Sequence, residues 1–169
     1  CAGSGCVGLA VAKFCPGSHV VLGELMEGAL RVCRRNIRRS GLTSQVMPWQ
    51  VDALDGPPPR FGEFDCIVSN PPYIRRCESR SMSANVLEYE PHIALFVPNE
   101  SPLLFYEKIA MDSVRLLSPG GKLYFEINET QGEACARMLE TAGYKHIRII
   151  KDLYEKNRFV SAIKPIRHG

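Results

Sequence analysis

No apolar stretch in this sequence approaches the length of a membrane span, and no secretory leader is visible, so neither a membrane protein nor a secreted one is expected. Charge of one sign is scarce too. With 21 Lys and Arg against 18 Asp and Glu, the net +3 is too small to argue for a nucleic-acid partner by itself. Only four histidines are present, and none is spaced with cysteine as a ligand set, so no metal site is expected. The seven cysteines, at 1, 6, 15, 33, 66, 77 and 135, contain no Cys-x-x-Cys pair. An odd count, with several members in apolar runs, fits reduced thiols in a cytoplasmic protein. Repeats and low-complexity tracts are also lacking. What is present is ordinary for a globular chain: 169 residues, 45% apolar and 23% charged, enough for one domain with a real core.

In chain order, strands alternate with helices. Gly3-Ser4-Gly5-Cys6-Val7-Gly8 fits G-x-G-x-x-G and runs into an Ala-rich helix, Val7 to Phe14. Glycines there let backbone approach a ligand, and the helix start offers free N–H groups to a polar or anionic group. His19 to Glu24 reads as a strand ending in an acid. A carboxylate about twenty residues beyond the glycines sits where Rossmann-like folds meet ribose hydroxyls. Leu25 to Arg39 is a helix stopped near Gly41, with a basic face of Arg31, Arg34, Arg35, Arg38 and Arg39. Gln45 to Val51 is a third strand, leading to Asp52 and Ala53, where an acid is placed either to accept an adenine amine or to shape a turn.

Pro57 to Pro59 is a surface loop, and Phe64 to Ser69 is a buried strand. A long connection, residues 74 to 98, carries Leu87 to His92 and is expected to be a lid or substrate contact. Ser101 to Leu117 is an amphipathic helix stopped by Ser118-Pro119-Gly120-Gly121, and Lys122 to Ile127 is a strand. Thr130 to Ala142 is a helix closed by Gly143. Ile147 to Ile150 and Phe159 to Ile163 are joined by a link too short for a parallel crossover, so they form an antiparallel hairpin. The expected fold is α/β, with a mostly parallel sheet and one reversed strand. Cys1 opens directly into a glycine turn that would ordinarily follow a strand, so a fragment is expected.

The stretch around which the chain is organised is Asn70-Pro71-Pro72-Tyr73, directly after the strand at 64–69. Two prolines fix φ and contribute carbonyls without N–H groups, and Asn before Pro is driven to an extended conformation. This makes a stiff polar corner at the carboxyl end of a strand, where open α/β sheets hold ligands. The Asn70 side-chain oxygen and the Pro71 carbonyl are two acceptors suited to a planar –NH2 group, such as an amide or a base amine. Such a nitrogen is a poor nucleophile because its lone pair is delocalised. Holding both N–H protons aligns it and favours positive charge on it as a methyl group arrives. Tyr73 would wall in the flat group. The glycine turn and Glu24 fit a nicotinamide dinucleotide as well as S-adenosylmethionine. The acceptor-only corner favours the methyl donor.

These residues, with Glu88 to Phe96, Pro119-Gly120-Gly121-Lys122-Leu123, Glu126-Ile127, Lys151-Asp152-Leu153 and Asn157 to Val160, resemble the class I methyltransferases of the HemK type, the protein-(glutamine-N5) methyltransferases of release factors. The resemblance runs over nearly the whole chain and implies a Rossmann-like methyltransferase catalytic domain at residues 1–169, lacking its first strand and an N-terminal helical domain. It implies S-adenosylmethionine along Cys1, Ala2, Gly3, Ser4 and Gly5, with ribose on Glu24, adenine near Asp52 and Ala53, and Asn70 beside the cofactor. It further implies that Asn70, Pro71, Pro72 and Tyr73 grip the glutamine of a Gly-Gly-Gln loop in a peptide-chain release factor. Where the family has Gly-Thr-Gly, this chain has Cys1-Ala2-Gly3. A molecule that truly began at Cys1 would be expected to be weakly stable and poorly active.

Two rivals stay open on the residues themselves. An amino-methyltransferase of adenine or cytosine in DNA or RNA would share the cofactor site and the corner, but no target-recognition domain is visible. A non-catalytic S-adenosylmethionine-binding subunit is a rival of another class. The intact Asn70 to Tyr73 corner argues against it.

Overall fold

The structure is a computed structural model that describes residues 1–56, 63–75, 77 and 92–166, with side chains from Ala94 onward in the last stretch. The chain divides into two compact units, Cys1–Pro57 and Pro58–Gly169.

The first unit contains α1 (Cys6–Phe14), β1 (Val20–Glu24), α2 (Glu27–Ser40) and β2 (Val46–Gln50). The strands β1 and β2 pair in parallel, with Val20 opposite Val46 and Glu24 opposite Gln50. Helix α2 turns Leu30, Cys33 and Ile37 inward at helical spacing and leaves its arginines outside or at the rim. It ends as the glycine requires: Gly41 is left-handed at φ 69°, and Leu42 N–H reaches back to the Ile37 carbonyl at 3.2 Å. Ala12, Leu22, Cys33, Ile37 and Val46 make the core of this unit. The helix begins at Glu27 and not at Leu25. The cause is local: the Glu24 carboxylate accepts the Met26 N–H at 3.0 Å and Met26 stays extended, so the chain leaves the strand before it can coil.

The second unit runs β3 (Phe64–Ser69), β4 (Ile74–Arg75), α3 (His92–Leu95), β5 (Phe96–Val97), α4 (Leu104–Leu116), β6 (Leu117–Glu126), α5 (Gly132–Thr141), β7 (Lys145–Lys151) and β8 (Asn157–Ile163). Its four-stranded sheet has the order β3-β6-β8-β7. The β3–β6 pair is parallel, while β6–β8 and the β7–β8 hairpin are antiparallel. The expected strand at 64–69 and the closing hairpin are both present, but the strand is not buried as expected: it ends the strand order of this unit's sheet, and Asp65, Cys66 and Val68 are exposed. Tyr106, Leu117, Leu123, Phe125, Ile127, Leu139, Tyr144 and Val160 form the core, with Tyr106 edge-on to Phe125 at 5.1 Å between ring centres.

Boundaries in this unit also differ from the sequence expectation, and helix α4 starts at Leu104 and not at Ser101. Ser118 to Gly121 does not separate helix from strand; β6 begins at Leu117, directly after α4. Phe64 pairs with Leu117 and Cys66 with Lys122, so four residues of β6 bulge out between these pairs. The glycines permit it. Gly120 is left-handed at φ 80°, and a Cβ on Gly121 would lie 2.8 Å from the Ser118 carbonyl oxygen. Helix α5 likewise starts at Gly132 and not at Thr130, because the Asn128 side chain holds the Thr130 N–H at 3.0 Å in a turn.

The segment expected as a lid is described only at its ends, where Ile74 and Arg75 pair in parallel with Phe96 and Val97. The Pro57–Pro59 loop, residues 87–91 and the His92 side chain lie outside the described residues.

Candidate active site

The first unit assembles most of the residues expected to hold a cofactor. Gly3 and Gly5 both have positive φ, 56° and 82°, which glycine adopts without strain. The turn they allow is fastened to the end of β1: Ala2 N–H donates to the Gly23 carbonyl at 3.0 Å, and Gly3 N–H donates to Glu24 Oε2 at 2.8 Å. A Cβ on Gly5 would meet Cys33 Sγ and Leu22 Cδ1, each at 3.0 Å, and one on Gly8 would meet Leu22 Cδ2 at 2.2 Å. The third glycine of the G-x-G-x-x-G run is therefore needed for helix–strand packing, and the first two for the turn. Gly5 is the N-cap of α1 and supplies no side-chain cap, so the first-turn N–H groups receive no side-chain acceptor from it.

Glu24 is the buried charge of this unit, at 8% exposure. Burial alone would push its carboxyl up. The N–H groups of Met26 and Gly3 act against that, and the carboxyl is held below the usual carboxylate range. Each carboxylate oxygen accepts one backbone N–H, so the lone pairs left over can still receive hydroxyl donors. Parallel pairing brings the next strand's end alongside. Val51 N–H donates to the Glu24 carbonyl at 3.0 Å, and Asp52 and Ala53 follow at once. Asp52 Oδ1 accepts the Leu54 N–H at 2.8 Å, so this acid shapes a turn. Cys1, Ala2, Gly3, Ser4, Gly5, Glu24, Asp52 and Ala53 thus belong to one cluster of loop ends.

Sequence reasoning missed two supporting residues here. Asn36 Nδ2 donates to the Ser4 carbonyl at 3.0 Å and ties the turn to α2. Gln50 Nε2 donates to the Leu25 carbonyl at 3.1 Å and steadies the chain after Glu24. Asn36 carried a readable signal: it sits between the inward positions Cys33 and Ile37, where a bare amide needs a partner.

The second unit carries the corner. The sheet-central neighbour β6 positions β3, with Ser69 opposite Phe125, and Asn70 follows directly. Pro71 and Pro72 are buried, Tyr73 is half-buried against the core, and Asn70 is exposed. Tyr73 has its hydroxyl pKa raised, chiefly by burial and further by the Glu126 charge, while Arg158 acts in the opposite direction. Glu126 and Arg158 were not picked out as site residues from the sequence. Their nearness to Tyr73 follows from strand register, since Glu126 faces Phe159 across β6 and β8. Among the described residues no group of three or more His, Cys, Asp and Glu could hold a metal, and no helix is long and apolar enough to cross a membrane.

The first unit has a parallel strand pair whose acidic end is fastened to a glycine turn, and the second has a sheet with one reversed strand, β8, and a proline-stiffened Asn at a strand end; each is a part of the class I methyltransferase fold. A methyltransferase of known structure from Pyrococcus furiosus superposes with a TM-score of 0.71 at 21% identity, covering 98% of this chain and 72% of that one. The family model described as the methyltransferase small domain matches residues 1–89, and the chain belongs to that family. Its sequence is also 42% identical over 160 residues to the release factor glutamine methyltransferase of Bacteroides thetaiotaomicron, covering 95% of this chain and 57% of that protein. The enzyme of the same name from Flavobacterium psychrophilum is 37% identical over 163 residues, covering 94% of this chain and 54% of its own length. The chain thus spans a little over half the length of these curated relatives.

Proposed function

We propose that residues 1–169 serve as the catalytic domain of an S-adenosylmethionine-dependent protein-(glutamine-N5) methyltransferase that modifies peptide-chain release factors. One observation carries the reading: the likeness to release factor glutamine methyltransferases extends over 95% of the chain. The retained Asn70 to Tyr73 corner supports it.

The turn from Cys1 to Gly5 and the Glu24 carboxylate fit an adenosyl cofactor. Glu24 is buried, pre-aligned by two N–H groups, and keeps acceptor capacity for two ribose hydroxyls. Asp52 and Ala53 would flank the adenine. When bound, S-adenosylmethionine supplies an electrophilic methyl group on a sulfonium.

Asn70 and Pro71 act on the acceptor. The Asn70 side-chain oxygen and the Pro71 carbonyl accept the two N–H protons of the glutamine amide, fix its plane and favour the positive charge that grows on nitrogen. With the methyl donor held there, the aligned amide nitrogen would take the methyl group, its new N–C bond forming as the donor's C–S bond breaks and the donor leaves as a neutral thioether. The N-methylated amide then loses one proton to water, so no strong protein base is needed. Tyr73, with its hydroxyl pKa raised, stays a neutral wall and is not itself the base. Pro72 holds the corner stiff.

Methyl transfer from labelled S-adenosylmethionine to purified release factor and to total nucleic acid, measured on the full-length protein, tests the assignment. Label on the release factor alone is expected. Label on nucleic acid alone refutes the glutamine reading and favours the base amine.

A further inference from the structure

The turn between β7 and β8 presents two apolar side chains fully to solvent, Leu153 at 99% and Tyr154 at 83% exposure. The turn is not loose. Asp152 Oδ1 accepts N–H groups from Tyr154 at 2.8 Å and from Lys156 at 3.1 Å. Asp152 N–H donates to the Lys156 carbonyl at 2.8 Å, and Glu155 N–H donates to that of Asp152 at 3.1 Å. The Arg158 guanidinium closes on Asp152 Oδ2 through Nε at 3.1 Å and Nη2 at 3.0 Å. Glu155 takes φ 60°, a conformation the surrounding bonds impose on a residue that rarely adopts it. The backbone that carries these apolar side chains is already fixed before a partner arrives, which lowers the entropic cost of docking.

Strand register shows where the turn points. Ser69, Phe125, Val160 and Ile149 lie in one cross-strand row, and Glu126, Phe159 and Ile150 in the next. Asn70 leaves β3 at the level of that second row. Because β3 and β6 are parallel and β8 runs the other way, the β7–β8 turn emerges at the same end of the sheet as Asn70. Three strand spacings of about 4.8 Å place β7 about 14 Å to the side of the corner, with Leu153 and Tyr154 projecting a few residues further. Arg158, which clamps the turn, is also the cation that Tyr73 of the corner senses.

We infer that Leu153 and Tyr154 form a docking point for the folded surface of the protein substrate, set to one side of the corner that holds the acceptor amide. The inference rests on the glutamine reading and deepens it. A free peptide of five residues with a central glutamine extends only about 7 Å either way, since each residue spans at most about 3.5 Å, and cannot reach the turn. A folded release factor can. The double contact thus discriminates intact protein from peptide, and leaves the reacting atoms untouched.

The test compares Leu153→Asp with Tyr154→Ala in the full-length protein, using intact release factor and a five-residue Gly-Gly-Gln peptide as acceptors. Each variant is expected to raise KM for the intact protein at least tenfold with kcat within twofold, and to leave kcat/KM for the peptide unchanged. Tyr154→Phe should restore most of the loss, because the ring and not the hydroxyl makes the contact. Equal losses on both acceptors, or no loss on the intact protein, overturn the inference while the glutamine reading stands. If the unaltered protein methylates neither acceptor, the reading fails and the inference falls with it.

Discussion

Glu24→Gln isolates what the buried carboxylate does. In the structure its two oxygens receive Gly3 N–H at 2.8 Å and Met26 N–H at 3.0 Å. Glutamine keeps the shape but has one acceptor oxygen. Its –NH2 would face a backbone N–H, so one of the two bonds is lost and a buried donor is left unpaired. Hydrogen bonds to a charged group are worth about 1.5–3 kcal/mol each, so the variant should be less stable by about 2–3 kcal/mol at pH 7. For a chain of this size that lowers Tm by roughly 5–10 °C. The pH dependence has a definite sign. The folded-state pKa of Glu24 is below its ordinary value, so its stabilisation is complete above the unfolded carboxylate range and is lost as pH falls through the folded value. Wild type and variant should therefore differ most near neutrality and converge in acid. Urea unfolding at several pH values between 7 and 3 measures the gap, and calorimetry with S-adenosylmethionine should show at least tenfold weaker binding. Equal midpoints at pH 7, or a gap that persists unchanged to pH 3, would refute the argument.

Asn70→Ala should lower methyl transfer by about 10²–10³-fold, the usual cost of removing one preorganised polar contact to developing charge, with the dissociation constant for S-adenosylmethionine within twofold by calorimetry. Gly8→Ala gains about 1 kcal/mol of helix propensity but drives a Cβ to 2.2 Å from Leu22 Cδ2 and 3.0 Å from Val20 Cγ1, so the net change by urea unfolding should still be destabilising. Burial pushes the Cys135 thiol up to about 12 and raises Cys33 as well, whereas Cys6 and Cys15 are exposed. Alkylation of the native protein at pH 8, read by mass spectrometry, should label Cys6 and Cys15 and reach Cys33 and Cys135 only after unfolding. Tyr144→Phe removes a hydrogen bond of 2.9 Å to the Ala110 carbonyl in the core and should cost about 1 kcal/mol by the same unfolding assay.

Much of this was legible in the sequence because several signals agreed locally. The strand at 64–69 was bounded by a glycine and two prolines, and the hairpin by a link too short to cross over; both were found where expected. The glycine turn and Glu24 were legible by spacing, and the structure ties them together directly. The helix before Ser118 to Gly121 does stop, at Leu116, but the strand starts at Leu117 and not at Lys122, because Pro-Gly-Gly fits a strand bulge as well as a helix end. Only the pairing of Phe64 with Leu117, a contact across more than fifty residues, decides between them. The late start of α2 was hidden for a similar reason, since an acid two residues upstream takes the N–H that would have opened the helix. Glu126 and Arg158 escaped because their meeting with Tyr73 depends on register across three strands, which no local pattern encodes.

The corner inverts the usual preference of its residue types, and the inversion explains its form. Proline is mostly a surface residue, yet Pro71 and Pro72 are buried while the polar Asn70 beside them is exposed. Burying an ordinary dipeptide at a strand end would strand two N–H donors with no ladder partner, which costs free energy comparable to a lost hydrogen bond each. Proline has no such donor. Two prolines can therefore enter the unit's interior as rigid anchors, with Tyr73 packed on the core behind them, and hold Asn70 outward without relying on a hydrogen-bond network of its own. The stiffness that the proposed role of Asn70 requires thus comes from the same property that lets the corner be buried.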